Sequence, residues 1–286
     1  MRFAWALAGL AVVLGMLVMA GRWRFVERRE RVYPTETAAL AIPRDAASIE
    51  RGRHVARTLG GCTDCHGDDL GGKVMDEDAM VRVVASNLTL GRGSAIAQYG
   101  DIDWVRAILE GVGPDGRPLM VMPSAHLRYL ADSDVAAIVA YMRTVAPVDR
   151  ELPPSEATAI GEVVLGLVGA DLWSAEQVDH TQPRAIAPPP VGPTRAYGEY
   201  LRGACIGCHG ATLEGGISIH PKAPPSANIS PAAMTSWTER GFVRAMRTGV
   251  RPDGSHVDDA MPWRATRELH DDEMHALWLA LSSEPG

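Results

Sequence analysis

Two Cys-x-x-Cys-His pentapeptides, at Cys62, Cys65 and His66 and again at Cys205, Cys208 and His209, account for all four cysteines of the chain. Each stands inside a longer repeat with a period of about 140 residues. The first copy runs RGRHV at 51–55, GCTDCHGDDLGG at 61–72, NLT at 87–89, VRAILEGVGPDG at 105–116 and Met122-Pro123. The second runs YGEYL at 197–201, ACIGCHGATLEGG at 204–216, NIS at 228–230, VRAMRTGVRPDG at 243–254 and Met261-Pro262. A repeat of this length constrains the whole architecture, and 286 residues suffice for about two domains of ordinary size.

The pentapeptide is the attachment signature of c-type haem. Two thiols three positions apart, at the start of a helical turn, can add to the two vinyl groups along one haem edge. The adjacent His then lies under the iron. Two covalently bound haem c groups are therefore expected, on Cys62/Cys65 and Cys205/Cys208, with His66 and His209 as proximal ligands. Other uses of cysteine fit less well. A redox CxxC belongs beside a βαβ pattern, which is absent. A four-cysteine zinc site needs no His after each pair, and paired disulfides explain neither the His nor the repeat. Three Phe and six Tyr are few for filling two cores, a shortage that a porphyrin would relieve.

Met/His ligation raises the potential of haem iron, and each repeat ends in a candidate thioether. Met122 and Met261 both precede a proline and follow their motifs at similar intervals, so they are the expected sixth ligands; Met120 is the weaker alternative, and any of these could instead be core filler. His54, His126, His180, His220, His256, His270 and His275 lie outside the motifs and read as surface or hydrogen-bonded residues. Asn87 and Asn228 read as contacts to a backbone or a propionate, or as turn formers. Trp263 reads as packing near a haem edge or as core. Gly52 and Gly198 read as close contacts against the last helix of each domain, near Tyr141 and Ala280.

The pattern is helical, and an all-α fold with two tandem cytochrome c-like domains after an N-terminal hydrophobic helix is expected. Helices are predicted at 48–59, 104–110 and 132–144, and at 197–202, 238–248 and 271–282. Asp132, Asp134, Asp271 and Asp272 supply the negative charge wanted at a helix start. No convincing strand alternation is present. The domains are placed at 45–147 and 194–286. Between them, 148–193 is rich in proline and reads as a connector, with an apolar stretch at 160–172 that could form a helix docking on either domain.

Residues 1–31 form a separate segment. Positions 3–20 carry no charge, and as a helix they span roughly 27 Å, close to the thickness of a bilayer core. Val18-Met19-Ala20 loosely fits a signal cleavage site, but the run is long and Arg22 and Arg24 follow it, so an uncleaved anchor is expected. The more basic flank follows the helix, which by the positive-inside tendency would place the rest of the chain in the cytoplasm. Haem attachment to this motif happens on the outer side, so the periplasmic side of a bacterial inner membrane is expected despite that flank. The net charge is −7; the first 31 residues carry six arginines against Glu27 and Glu30, a balance of +4, which leaves the remainder near −11. Nucleic acid, which requires a basic face, is excluded as a partner; a redox protein is compatible.

With these residues the chain resembles the class I-like cytochromes c over about 48–146 and 194–282. More narrowly, GDIDWVRAILEGVGPDGRPLMVMP followed by LADSDVAAIVAYMRTV resembles the cytochrome subunits of bacterial membrane-bound alcohol and gluconate dehydrogenases. That resemblance implies single-electron transfer from a periplasmic dehydrogenase toward quinone or an oxidase of the respiratory chain. Those subunits commonly carry three haem domains, whereas this chain has two motifs. The rival expectation is an enzyme, a di-haem peroxidase with one open haem site and an acid/base residue beside it. The matched Met-Pro pair favours the electron carrier.

Overall fold

A computed structural model describes residues 2–182, 184, 187–218 and 223–283; His220 lies outside them. The chain is largely helical, as expected. The helices of the first half are α1 (Arg2–Glu30), α2 (Ala46–Arg57), α3 (Cys62–His66), α4 (Asp101–Glu110), α5 (Ser124–Leu127), α6 (Asp132–Met142) and α7 (Ala159–Val168). Those of the second half are α8 (Arg195–Leu201), α9 (Gly203–His209), α10 (Pro231–Met234), α11 (Glu239–Thr248), α12 (Trp263–Thr266) and α13 (Asp271–Leu281). A small antiparallel sheet adds β1 (Lys73–Glu77), β2 (Val81–Ala85) and β3 (Glu156–Ala157) in the order β1-β2-β3.

The sheet departs from the all-α expectation. Its β1 is exposed along its whole length and β3 is two residues long, so no buried face imposes the alternation by which a strand is read from sequence. Local chemistry marks the helix starts more clearly. Asp45 caps α2 by accepting from the Ser48 N–H at 2.9 Å, and Thr194, Thr158 and Thr238 cap α8, α7 and α11 in the same way.

Two compact units account for the chain. The first comprises residues 1–39, 65–125 and 146–182. Here α7 packs along α1, and its first turn also meets the first repeat, where Gly161 lies against the Met80 backbone and the Thr158 N–H donates to the Met80 carbonyl at 2.9 Å. Phe25 of α1 is buried against Trp173, with ring centroids 5.4 Å apart, and Arg28 Nε donates to Glu176 at 2.9 Å. The apolar part of α1 is long enough to cross a membrane and is exposed throughout. The proline-rich segment is bound into this unit as far as Gln182. Val148 lies across Asn87 and Thr89, β3 extends the sheet, and Trp173 pairs with Met120.

The second unit comprises residues 40–64, 126–145 and 183–286. Its core is made by two helix crossings, α2 on α6 and α8 on α13, so the first and last helices of each repeat pack together. Gly52 and Gly198 lie at these crossings. A Cβ on Gly52 would overlap the Ala137 carbonyl, and one on Gly198 the Ala276 carbonyl. The contact in α6 lies one helical turn before Tyr141, the position expected from sequence, because the glycine meets backbone and not a side chain. In α13 the Ala280 methyl adds to the contact.

A buried polar network joins the four helices. Arg51 of α2 holds Asp134 of α6 through two bonds of 2.8 and 2.9 Å, and Tyr200 donates to the same carboxylate at 2.5 Å. Glu273 of α13 accepts from Tyr197 at 3.2 Å and from Arg51 at 3.4 Å, and it pairs with His54 Nε2 at 2.7 Å. Asp134, expected as a helix-start charge, is thus a buried partner, as is Glu273. Burial alone would raise the Glu273 carboxyl, but the hydrogen bonds from His54 and the His270 N–H, with the charge of Arg51, hold it at about 2. A carboxylate depressed in the folded state stabilises above its unfolded value and loses that contribution as pH falls through the folded one. Holoprotein stability is therefore expected to drop by on the order of 3 kcal/mol between about pH 4.5 and about pH 2. In denaturant titrations over that range, Glu273→Gln should flatten the dependence, and an unchanged slope in the variant would assign the acid loss elsewhere.

Candidate haem-attachment sites

The two motifs occupy equivalent local structures. Cys62, Cys65 and His66 lie on α3, and Cys205, Cys208 and His209 on α9. After each His the chain makes the same loop. The His66 carbonyl accepts from Gly72 N–H at 2.8 Å and that of His209 from Gly215 at 2.9 Å. Leu70 and Leu213, each four residues past its His, are buried with φ near +60° (55° and 61°). Their carbonyls accept from Leu88 and Ile229, which draws the two Asn segments against the motifs.

That loop sets the imidazoles. His66 Nδ1 lies 2.7 Å from the Ser86 carbonyl, and His209 Nδ1 lies 2.7 Å from the Ala227 carbonyl. A carbonyl only accepts, so each Nδ1 carries a proton, and Nε2 is the ring nitrogen left to serve as a ligand. This is the partner arrangement that fixes the tautomer and orientation of a metal-bound His. Burial pushes His66 below its ordinary value against the opposing pull of Ser86, so the ring is neutral at pH 7, as a ligand must be. Burial also pushes the Cys205 thiol up to about 11 and raises Cys208. The donor set of two thiols and one Nε2 in each motif therefore fits a covalently held haem.

Ser86 and Ala227 were not singled out in the sequence, although the adjacent Asn residues were. Asn87 and Asn228 are turn formers. The Asn87 Oδ1 accepts from Thr89 N–H and the Asn228 Oδ1 from Ser230 N–H, both at 2.9 Å, and Asn87 Nδ2 donates to the Val148 carbonyl. They hold in place the residue whose carbonyl meets the His.

Met122 and Met261 also have matched surroundings. Both are half-buried, and the carbonyl of each accepts from the second residue on, Ser124 or Trp263, at 2.9 and 2.8 Å. This turn spans the proline and leads into α5 or α12. Val121 directly before Met122 has φ +62°, a costly conformation for a β-branched residue and of the kind that clusters at functional sites. Met120 instead bridges to Trp173. Trp263 packs over Gly249 at the end of α11 and beneath the Arg264 guanidinium.

Several other histidines are engaged elsewhere. His180 pairs with Glu110 and His275 with Glu239, each at 2.6 Å. His54 stacks on His270 with centroids 4.2 Å apart. That pair and Glu273 are close enough to hold a metal ion, but the carboxylate is already taken by His54, Tyr197 and Arg51, and the guanidinium repels a cation.

Residues 49–146 match the cytochrome c family. The cytochrome c family implies covalently bound haem c. The alcohol dehydrogenase (quinone) cytochrome c subunit of Gluconobacter oxydans is 28% identical over 281 residues, covering 87% of this chain and 57% of that protein. The protein of the same name from Gluconacetobacter polyoxogenes is 26% identical over 273 residues, covering 84% and 57%. The gluconate 2-dehydrogenase cytochrome c subunit of Pantoea cypripedii is 29% identical over 226 residues, covering 74% of this chain and 50% of its own length. The chain thus spans half, or a little over half, of the length of these relatives. The cytochrome c domain and the relatives support an electron-transfer role.

Proposed function

We propose that the chain is a two-haem electron carrier, with one haem c on Cys62, Cys65 and His66 and the second on Cys205, Cys208 and His209. The repeats at 45–147 and 194–286 are its two haem-bearing modules, and Met122 and Met261 complete the iron coordination. The observation that carries this reading is the recurrence, in both repeats, of an imidazole whose Nδ1 proton is given to a carbonyl 18 or 20 residues on. One such bond is ordinary; the same bond at the same place in both repeats is what two like iron sites need.

When bound, each haem supplies a centre that gains and loses one electron. The protein orients the imidazole through its Nδ1 bond to a carbonyl and presents a thioether from a proline-stiffened turn. Electrons would enter from a dehydrogenase, in keeping with the names of the relatives, and leave toward quinone or an oxidase. The apolar part of α1 would anchor the carrier on the periplasmic face of the inner membrane and raise its local concentration there. The docking of Phe25 and Arg28 into the first unit supports that role, because the anchor and the folded body share one continuous helix.

Carbon monoxide binding to the reduced holoprotein tests the coordination. The native protein is expected to show the far-red Met–ferric charge-transfer band and to ignore carbon monoxide. Met122→Ala and Met261→Ala should each lose part of the band and gain ligand binding at one haem. Carbon monoxide binding by the native protein would mean an open iron, and peroxidase-type chemistry would replace the carrier reading.

A further inference from the structure

We propose that Tyr129 is the bridge through which the two haem-attachment sites exchange electrons. The inference rests on the two-haem reading above. Tyr129 follows the first Met-Pro pair by six residues and touches both attachment segments. Its hydroxyl donates to the Leu59 carbonyl at 3.0 Å, three residues before Cys62. Its ring packs against Gly203, where a Cβ would overlap ring carbons, two residues before Cys205. One side chain therefore spans the gap with a hydrogen bond at one end and van der Waals contact at the other. His126, three residues earlier, packs on Gly207 between Cys205 and Cys208.

The surroundings hold this bridge in one geometry. The Tyr129 ring packs on Tyr200 with centroids 6.0 Å apart, and Tyr200 is fixed by Asp134 and by the Ala131 N–H. Asp134 is in turn clamped by Arg51. Burial, with Tyr200 and Cys205 alongside, pushes the Tyr129 phenol well above its ordinary value, so it keeps its proton. In the exchange one site is oxidised by one electron and the other reduced by one. No bond forms or breaks, and Tyr129 itself is neither oxidised nor deprotonated.

The test is intramolecular electron equilibration in the full-length holoprotein after rapid reduction by a low-potential radical, with haem content and both reduction potentials measured alongside. Tyr129→Leu is expected to slow equilibration severalfold with two haems bound and both potentials unchanged. Tyr129→Phe keeps the ring on Gly203 and loses only the bond to Leu59, so it should slow equilibration by less. If Tyr129→Leu loses haem, the Phe variant decides. Native rates in the Phe variant would then overturn the bridge, as would native rates in a fully loaded Leu variant. A native protein that carries a single haem would fail at the two-haem reading instead, a result distinct from any effect at Tyr129.

Discussion

Replacing Cys62 and Cys65 together with alanine is expected to lower the covalently bound haem from two per chain to one, and replacing Cys205 and Cys208 to do the same at the other site. The two motifs lie on separate helices, and each has its own carbonyl partner for the His. Nothing in that arrangement makes one attachment depend on the other motif. A single imidazole without its two thioether bonds holds haem only reversibly, so the lost group should be removed by denaturation while the remaining one is not. Haem stoichiometry after denaturing gel separation, against protein mass, reads this directly. Loss of both haems from either double variant would mean a shared site, and retention of both would remove the motifs from attachment altogether.

The second large effect is expected at the helix crossings. Gly52→Val and Gly198→Val should each destabilise the holoprotein by about 3 kcal/mol or more. In both cases the new side chain is driven into a backbone carbonyl of the facing helix, at Ala137 or Ala276. Backbone cannot rotate away as a flexible side chain can, so α2 must separate from α6, or α8 from α13. The damage should spread, because Arg51 lies on the turn beside Gly52 and its pairing with Asp134 depends on that separation. Gly15→Ala is the control. A Cβ there meets nothing, and stability should stay within about 0.5 kcal/mol. Denaturant unfolding followed by visible absorption and circular dichroism measures all three, and a mild effect at Gly52 would mean that the crossing is looser than its geometry.

Much of the local architecture was legible in the residues themselves. The two Cys-x-x-Cys-His motifs are legible because the thiols and the His that a haem edge would need fall within five consecutive positions. The helices could be read because caps such as Asp45 and Thr194 act within three residues. The repeat could be read because each copy carries the same loop, down to the buried Leu70 and Leu213. The stretch at 160–172 could be read as a helix, but not that it would lie on α1, since an apolar face does not name its partner.

What the tertiary structure alone decided are contacts between residues far apart in sequence. Ser86 and Ala227 offer backbone carbonyls, which every residue has, so no side chain announces the bond to His66 or His209. Asp134 and Glu273 look the same at a helix start whether they face water or a buried Arg51. Tyr129 reads as one more aromatic until Leu59 and Gly203 are found on either side of it. Sequence by itself determined the motifs, the helical class and the repeated loop, because these are set by chemistry within a few residues. The fold decided which carbonyl meets which imidazole and which ring joins the two attachment segments, because burial and long-range packing select among partners that are locally equivalent.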